Sequence, residues 1–266
     1  MQLHHKPPFS RGYTSLVPRS GATADMLMDF GVLRLLPGET YESYSETDER
    51  LWLLAQGTGF LDTGKEGRFE VSRPNLFDYS PWCLSVPAKR QIHLSAKDEE
   101  VVFYSVATEN PRRFELQCYP PEACRSEFRG AGTMRETSTR IVRTIFDDTN
   151  RPESNLVIGE VIGVPGKWSS YPPHHHPQPE IYHYRFLPAQ GFGLTAIGDT
   201  PYIIQDRDTI LIRDGEDHPQ VTAPGYAMWY LWVIRHLDDN RYGPQYVTEA
   251  HKWVSGPEDQ IWQPKQ

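Results

Sequence analysis

The sequence predicts an all-β protein built from two tandem barrels, and three observations support this. Short β-branched and aromatic runs alternate with a period of two residues, for example at 101–104 and 228–233. Turn signals separate these runs, and 23 Pro with 20 Gly suit many short strands better than long helices. The third observation is an internal repeat, which sets the number of barrels.

The repeat appears when the two halves of the chain are aligned. Each copy has a strand ending in a Pro-Gly turn, an acidic residue opening a second strand, and a glycine-rich turn into a third. These parts lie at 31–38, Glu49 and 57–60 in the first copy, and at 159–166, Glu180 and 191–193 in the second. We therefore predict one barrel over residues 1–125 and another over 126–266.

Composition and charge exclude several classes of function. Hydrophobic residues make up 38% of the chain, which argues against disorder. The formal net charge is -8 and no basic run occurs, so no nucleic-acid partner is expected. An anionic sugar acid stays compatible with this charge, because a local cluster such as Arg140 and Arg143, or a metal cation, can outweigh it. No signal-peptide core is found near the N-terminus, and no apolar run approaches the ~18 to 20 residues of a membrane span, so we expect a cytoplasmic protein without a membrane partner.

Residues 172–182 carry the strongest chemical signal in the sequence, because they contain three histidines followed by a glutamate. Residues two apart in a strand share a face, so His174 and His176 project together while His175 projects to the other side. Two prolines then end the strand and let the chain turn back. Glu180 can open a neighbouring strand and provide a third metal ligand.

A fourth ligand is expected from His218, which follows a glycine turn in the matching part of the repeat. Three neutral imidazoles and one carboxylate suit a single divalent ion, namely Zn, Fe, Mn, Ni or Co, with open positions for chemistry. The alternative is a solvated histidine-rich loop that binds metal adventitiously. The first copy has tyrosine and serine where the second has histidine, so its barrel is expected to serve architecture or oligomerisation.

This order of HxH, Glu and a later His resembles the two motifs of the cupin superfamily. The double copy resembles a bicupin, which implies two double-stranded β-helix (jelly-roll) barrels. The stretches 157–161, 166–176 and 180–185 are similar to the 5-deoxy-glucuronate isomerase family of inositol catabolism. That resemblance implies a zinc-dependent aldose–ketose isomerase converting 5-deoxy-D-glucuronate to 5-dehydro-2-deoxy-D-gluconate, with the small uronate as partner. Alternatives are another uronate isomerase such as the related 5-keto-4-deoxyuronate isomerase, an iron oxygenase, or a sugar-binding cupin without catalysis.

The aldose–ketose reaction moves a proton between adjacent carbons, and a metal ion can stabilise the oxyanion that develops. Tyr182 and Tyr230 are candidates for orienting the substrate or moving the proton, the alternative being core aromatics with satisfied hydroxyls. Arg185 and Arg143 are candidates for holding the substrate carboxylate, the alternative being structural salt bridges. No GxGxxG or P-loop motif indicates a nucleotide cofactor.

Overall fold

The computed structural model describes residues 1–213 and 215–264, and it confirms that the protein is all-β. In this part of the chain the helical segments are 3-10 helices of three to seven residues, four of which connect strands while two follow the last strand. None of the helices described there has the length and apolar character that a membrane crossing needs.

The strands and short helices of the described residues follow one another closely along the chain. The strands are β1 (Gln2–Leu3), β2 (Gly12–Val17), β3 (Asp29–Leu35), β4 (Thr40–Ser43), β5 (Asp48–Asp62), β6 (Arg68–Arg73), β7 (Cys83–Val86), β8 (Ile92–Ala96), β9 (Val101–Glu109), β10 (Gln117–Tyr119), β11 (Arg125–Arg129), β12 (Arg140–Phe146), β13 (Leu156–Gly163), β14 (Trp168–Ser169), β15 (His174–His175), β16 (Glu180–Leu187), β17 (Phe192–Ile197), β18 (Thr200–Gln205), β19 (Thr209–Ile212), β20 (Gln220–Thr222), β21 (Ala227–Arg235) and β22 (Tyr246–Val247). The 3-10 helices are Gly21–Met26, Gly64–Glu66, Pro121–Ala123, Met134–Glu136, Glu249–Ser255 and Glu258–Gln260.

Contacts between residues divide the chain into two compact units. The N-terminal unit comprises His5–Arg125 and Thr144–Ile158. The C-terminal unit comprises Met1–His4, Ser126–Arg143 and the described residues from Gly159 onward. The assignment of one barrel to residues 1–125 and another to 126–266 stays a prediction.

The N-terminal unit is organised around the long strand β5. Its main sheet has the order β10-β7-β5-β9-β3-β2, and β5 also pairs with β6 and β8. Trp52 and Leu54 of β5 and Val101 and Phe103 of β9 lie in one buried cluster. Residues two apart in a strand share a face, so the alternation that predicted these strands also placed their apolar side chains in the core.

One local prediction in this unit is wrong, because residues 57–60 do not form a turn. Strand β5 runs through them after an irregularity in register between Leu54 and Gln56. Gly57 has a φ of +96°, and a Cβ atom there would lie 2.2 Å from the carbonyl oxygen of Glu100. The glycine is therefore needed for a distorted strand that passes close to a neighbouring backbone, rather than for a chain reversal.

The C-terminal unit contains the strands of the second repeat. One sheet has the order β1-β19-β16-β21-β13-β12-β11, another has β14-β20-β17-β18, and β15 pairs with β22. Side chains from both larger sheets meet in one buried cluster, which includes Val142, Tyr182, Tyr184, Ile204 and Tyr230. A core enclosed by two antiparallel sheets is the arrangement expected of a β-sandwich or barrel.

Glu49 occupies the position in the first repeat that Glu180 occupies in the second. It lies at the start of β5, is buried, and accepts the backbone N–H of Asn155 at 2.7 Å. Burial raises the pKa of this carboxyl group to about 7, although the hydrogen bond from Asn155 opposes the rise. Glu49 therefore serves the packing and hydrogen bonding of the N-terminal unit.

The raised pKa predicts that the contribution of Glu49 to stability falls as the pH increases. The folded state holds the Glu49 proton more tightly than the unfolded chain does, so this stabilisation is complete below about pH 4.5 and is lost as the pH rises to about 7. We expect a loss of about 3 kcal/mol in the free energy of unfolding between these limits. In urea unfolding between pH 5 and 8 the parent should lose stability relative to Glu49→Gln as the pH rises, while the exposed Glu99→Gln should keep the parent slope. Equal slopes in all three proteins would contradict the assignment.

Candidate metal centre

Three strands bring the histidines and Glu180 of the predicted site together in the C-terminal unit. His174 belongs to β15, where it pairs with Val247 of β22. Glu180 opens β16, the strand between β19 and β21, and is buried. His218 lies directly before β20. The local strand pattern aims the side chains of the HxH motif, and the sheets then bring the later histidine to the same place.

His176, Glu180 and His218 form a group that could hold a metal ion, which we refer to as the His-Glu triad. One ligand atom from each residue lies within 4.8 Å of those from the other two, and all three residues are buried. Oε2 of Glu180 is 3.2 Å from Nε2 of His176 and 3.5 Å from Nε2 of His218. Two imidazoles and one carboxylate around a common centre fit the ligand set of a catalytic divalent metal.

The second nitrogen of each histidine ring shows how these rings are oriented. Nδ1 donates to a backbone carbonyl in all three cases: His174 to Pro172 at 2.9 Å, His176 to Gln178 at 3.1 Å and His218 to Glu216 at 2.8 Å. Each Nε2 is then left with a lone pair, as a metal ligand requires. Among the described residues Nε2 of His218 has no hydrogen-bond partner although it is buried, which further supports the fit to a metal ion.

Two of the histidines are held in the neutral form that coordinates metals. Burial lowers the pKa of His174 and of His218 to about 4 in each case. For His218 the nearby carboxylate of Glu180 opposes this effect without cancelling it. Neither ring needs to lose a proton near neutral pH before it can donate its Nε2 lone pair.

His174 is buried beside the His-Glu triad, whereas His175 points away from it toward Asp217. The ring centroid of His174 lies 4.8 Å from that of His218, and the residue is buried, but it is not part of the triad. The side chain of His175 is 41% exposed, and its Nδ1 lies 2.9 Å from Oδ1 of Asp217. His174 was predicted as a ligand together with His176, and that role stays a prediction.

Tyr182 and Tyr230 have buried hydroxyl groups close to the His-Glu triad. Their ring centroids are 4.9 Å apart, and that of Tyr182 is 5.8 Å from the ring of His218. The hydroxyl of Tyr182 lies 3.0 Å from Oγ of Ser170, and that of Tyr230 lies 2.6 Å from Oγ of Ser169. Burial raises the pKa of both hydroxyls, so they stay protonated at neutral pH and can donate hydrogen bonds. Their role in orienting the substrate or moving the proton stays a prediction.

The two arginines predicted to hold a substrate carboxylate are each bound to a carboxylate of the protein. Nη1 of Arg143 lies 2.8 Å from Oε1 of Glu160, and both side chains are buried. Nε of Arg185 donates to Oδ1 of Asp206 at 2.9 Å. Both side chains thus have a structural partner, and their role at a substrate stays a prediction.

Gln220 and Thr222 are buried polar residues that the sequence interpretation did not assign to the site. They lie in β20 and continue the spacing of two residues that begins at His218, and this alternation could have identified them. Arg140 was named only with Arg143 as a local positive cluster, and it is buried in β12, two residues before the apolar Val142.

The fold and the triad define the class of protein: an all-β, cupin-like protein with a buried site that could hold a metal. The chain belongs to the KduI/IolB family, whose model matches residues 3–254. This family match covers both units and includes the His-Glu triad.

Two curated relatives carry the name 5-deoxy-glucuronate isomerase. The protein from Geobacillus kaustophilus is 27% identical over 222 residues, which are 77% of this chain and 78% of the relative. The protein from Halalkalibacterium halodurans is 25% identical over 286 aligned positions, covering 95% of this chain and 98% of the relative. The similarity therefore covers about four fifths of the first relative and almost all of the second.

Solved structures support the fold. An IolB-like protein from Salmonella typhimurium superposes with a TM-score of 0.78 at 23% identity, covering 86% of this chain and 90% of that one. A cupin 2 conserved barrel domain protein from Leptotrichia buccalis gives a TM-score of 0.52 at 12% identity, covering 86% and 92%. These similarities identify the fold as cupin-like.

Proposed function

We propose that this protein is a metal-dependent aldose–ketose isomerase that converts 5-deoxy-D-glucuronate to 5-dehydro-2-deoxy-D-gluconate in myo-inositol catabolism. The observation that carries the proposal is a KduI/IolB family match over residues 3–254 that includes the buried His-Glu triad. The names of the curated relatives support the choice of substrate. We further propose that the protein is located in the cytoplasm. Its assembly is either a single chain or a homo-oligomer.

The proposed ligands are the His-Glu triad with His174 as the fourth. A divalent ion held there, zinc first and Mn, Fe, Ni or Co as alternatives, would stabilise negative charge that develops on substrate oxygens. The chain itself keeps His174 and His218 neutral by burial. It orients all three ligand histidines through hydrogen bonds from Nδ1 to backbone carbonyls.

The proton transfer is assigned to the tyrosine pair. Tyr182 and Tyr230 both present protonated hydroxyls beside serine hydroxyls in a buried setting. Such a group can donate a hydrogen bond to a substrate oxygen. If it moves the proton itself, it gives its own proton to a substrate oxygen, takes the proton from the carbon that loses it and delivers that proton to the neighbouring carbon, and it recovers its own proton from the substrate hydroxyl that becomes the new carbonyl. Tyr182 is the first candidate because its ring contacts that of His218.

The test measures metal content and activity together. The purified protein should contain about one divalent ion per chain by elemental analysis and convert 5-deoxy-D-glucuronate to the keto acid. A chelator and His176→Ala should each remove both properties, because His176 provides one of the triad's ligand atoms. Conversion that survives both treatments would eliminate the metal-dependent mechanism, and conversion of 5-keto-4-deoxyuronate alone would replace the proposed substrate.

A further inference from the structure

Arg140 opens strand β12 and projects into the interior of the C-terminal unit. Val142, two residues further along, belongs to the buried cluster that contains Tyr182 and Tyr230. Because residues two apart in a strand share a face, the side chain of Arg140 points into the same interior. Only 6% of Arg140 is exposed, so a permanent positive charge lies inside the unit.

This buried charge has no carboxylate partner in residues 1–213 and 215–264. The hydrogen bonds of its guanidinium within this part of the chain run from Nη1 to Ser138, at 2.8 Å to the carbonyl oxygen and 2.9 Å to the hydroxyl. Arg143, three residues later, differs because it is held by Glu160. Burying an uncompensated guanidinium is unfavourable, and an anionic ligand that reached it would offset that cost.

The position of Arg140 on its strand places it on the side of the tyrosine pair. Val142 shares its face of β12 and packs in one buried cluster with Tyr182 and Tyr230. Burial raises the pKa of Tyr230, and the hydrogen bond to Ser169 and the charge of Arg140 oppose that rise, in agreement with this position.

Two buried polar side chains of β20 have atoms without hydrogen-bond partners in the described part of the chain. Gln220 and Thr222 are two residues apart, and these atoms are Oε1 and Oγ1 respectively. Gln220 also pairs across the strands with Ser169 and donates to the hydroxyl of Ser170 at 3.3 Å. Buried polar groups normally have partners, so these two side chains are suited to a ligand that carries hydroxyl groups.

We propose that Arg140 binds the carboxylate of the sugar acid and that Oε1 of Gln220 accepts a hydrogen bond from one of its hydroxyls. This inference rests on the proposed function, and it names the part of the site that selects an acid over a neutral sugar. A guanidinium can hold a carboxylate through two parallel hydrogen bonds, which gives orientation as well as affinity.

The test compares 5-deoxy-D-glucuronate with 5-deoxy-D-glucose, in which CH2OH replaces the carboxylate. Arg140→Met should raise the KM for the acid by about 100-fold, since a hydrogen bond to a charged group is lost, and should change kcat little. The kinetics on the neutral sugar should match those of the parent. Arg140→Lys should recover about tenfold of the KM loss, because it restores the charge without the paired geometry. The exposed Arg125→Met is the matched control and should behave like the parent.

Metal content and thermal melting establish whether each variant is folded, and Arg140→Lys carries the test if Arg140→Met does not fold. An equal loss of activity on both sugars by a folded variant would overturn the inference. If the parent converts neither sugar, the proposed function fails. Calorimetric titration with D-glucuronate then tests, without relying on activity, whether Arg140 binds a sugar carboxylate. Binding that is lost in Arg140→Met supports the subsite, whereas binding that is unchanged, or absent from the parent, overturns it.

Discussion

Glu180→Gln is expected to remove the metal from the protein and to reduce kcat/KM on the order of a thousandfold, since a bound ion contributes several kcal/mol to such reactions. Glu180 is the single carboxylate of the His-Glu triad, and its Oε2 lies 3.2 Å and 3.5 Å from the Nε2 atoms of His176 and His218. Glutamine keeps the size of the side chain but removes the negative charge that balances a divalent cation. Elemental analysis and steady-state kinetics on the same preparation measure both effects.

The matched control is Glu249→Gln, whose parent side chain is 86% exposed in the same unit. It should retain full metal content and parent kinetics, because an exposed ion pair with Lys252 contributes little. Circular dichroism should show that Glu180→Gln keeps its β-structure. A folded Glu180→Gln with one ion per chain and parent activity would contradict the assignment of the triad.

Arg143→Met is expected to lower the free energy of unfolding by about 3–5 kcal/mol, because it leaves Glu160 buried without its ion-pair partner. The Nη1–Oε1 distance of 2.8 Å and the near-complete burial of both side chains make this pair unlike the surface ion pairs of the protein. Urea unfolding at pH 7, with the slope checked against the parent, measures the loss.

The double variant Arg143→Met, Glu160→Leu provides the control for this pair. Replacing both partners by apolar side chains removes the uncompensated charge, so most of the lost stability should return. A double variant as unstable as Arg143→Met would contradict the explanation. The kinetics of the folded double variant also test the role predicted for Arg143 at the substrate, since a large rise in KM would support that role.

Local patterns in the sequence predicted the strand character of the chain and the orientation of the HxH motif. His174 and His176 are buried whereas the side chain of His175 is 41% exposed, as alternation in an extended segment requires. The position of Glu180 at the start of a strand was also predictable, because two prolines end the preceding segment. These features depend on residues that are close in sequence, so they can be predicted before the tertiary structure is known.

The internal repeat was informative about architecture but not about the role of each position. Glu49 and Glu180 open corresponding strands, yet Glu49 accepts a backbone N–H from Asn155 while Glu180 faces two imidazoles. The repeat also predicted a turn at 57–60, but the glycines there lie in β5. Equivalent positions in a repeat share a backbone environment, but their partners come from distant parts of the chain.

The sequence by itself therefore determined the all-β class, the buried face of the HxH motif and the residue types suited to a metal. Only the tertiary structure decided that Arg143 is held by Glu160, that Arg140 is buried without a carboxylate partner among the described residues, and that His218 meets Glu180. The reason is physical: strand alternation sets which way a side chain points, whereas sheet pairing between distant segments sets what it meets.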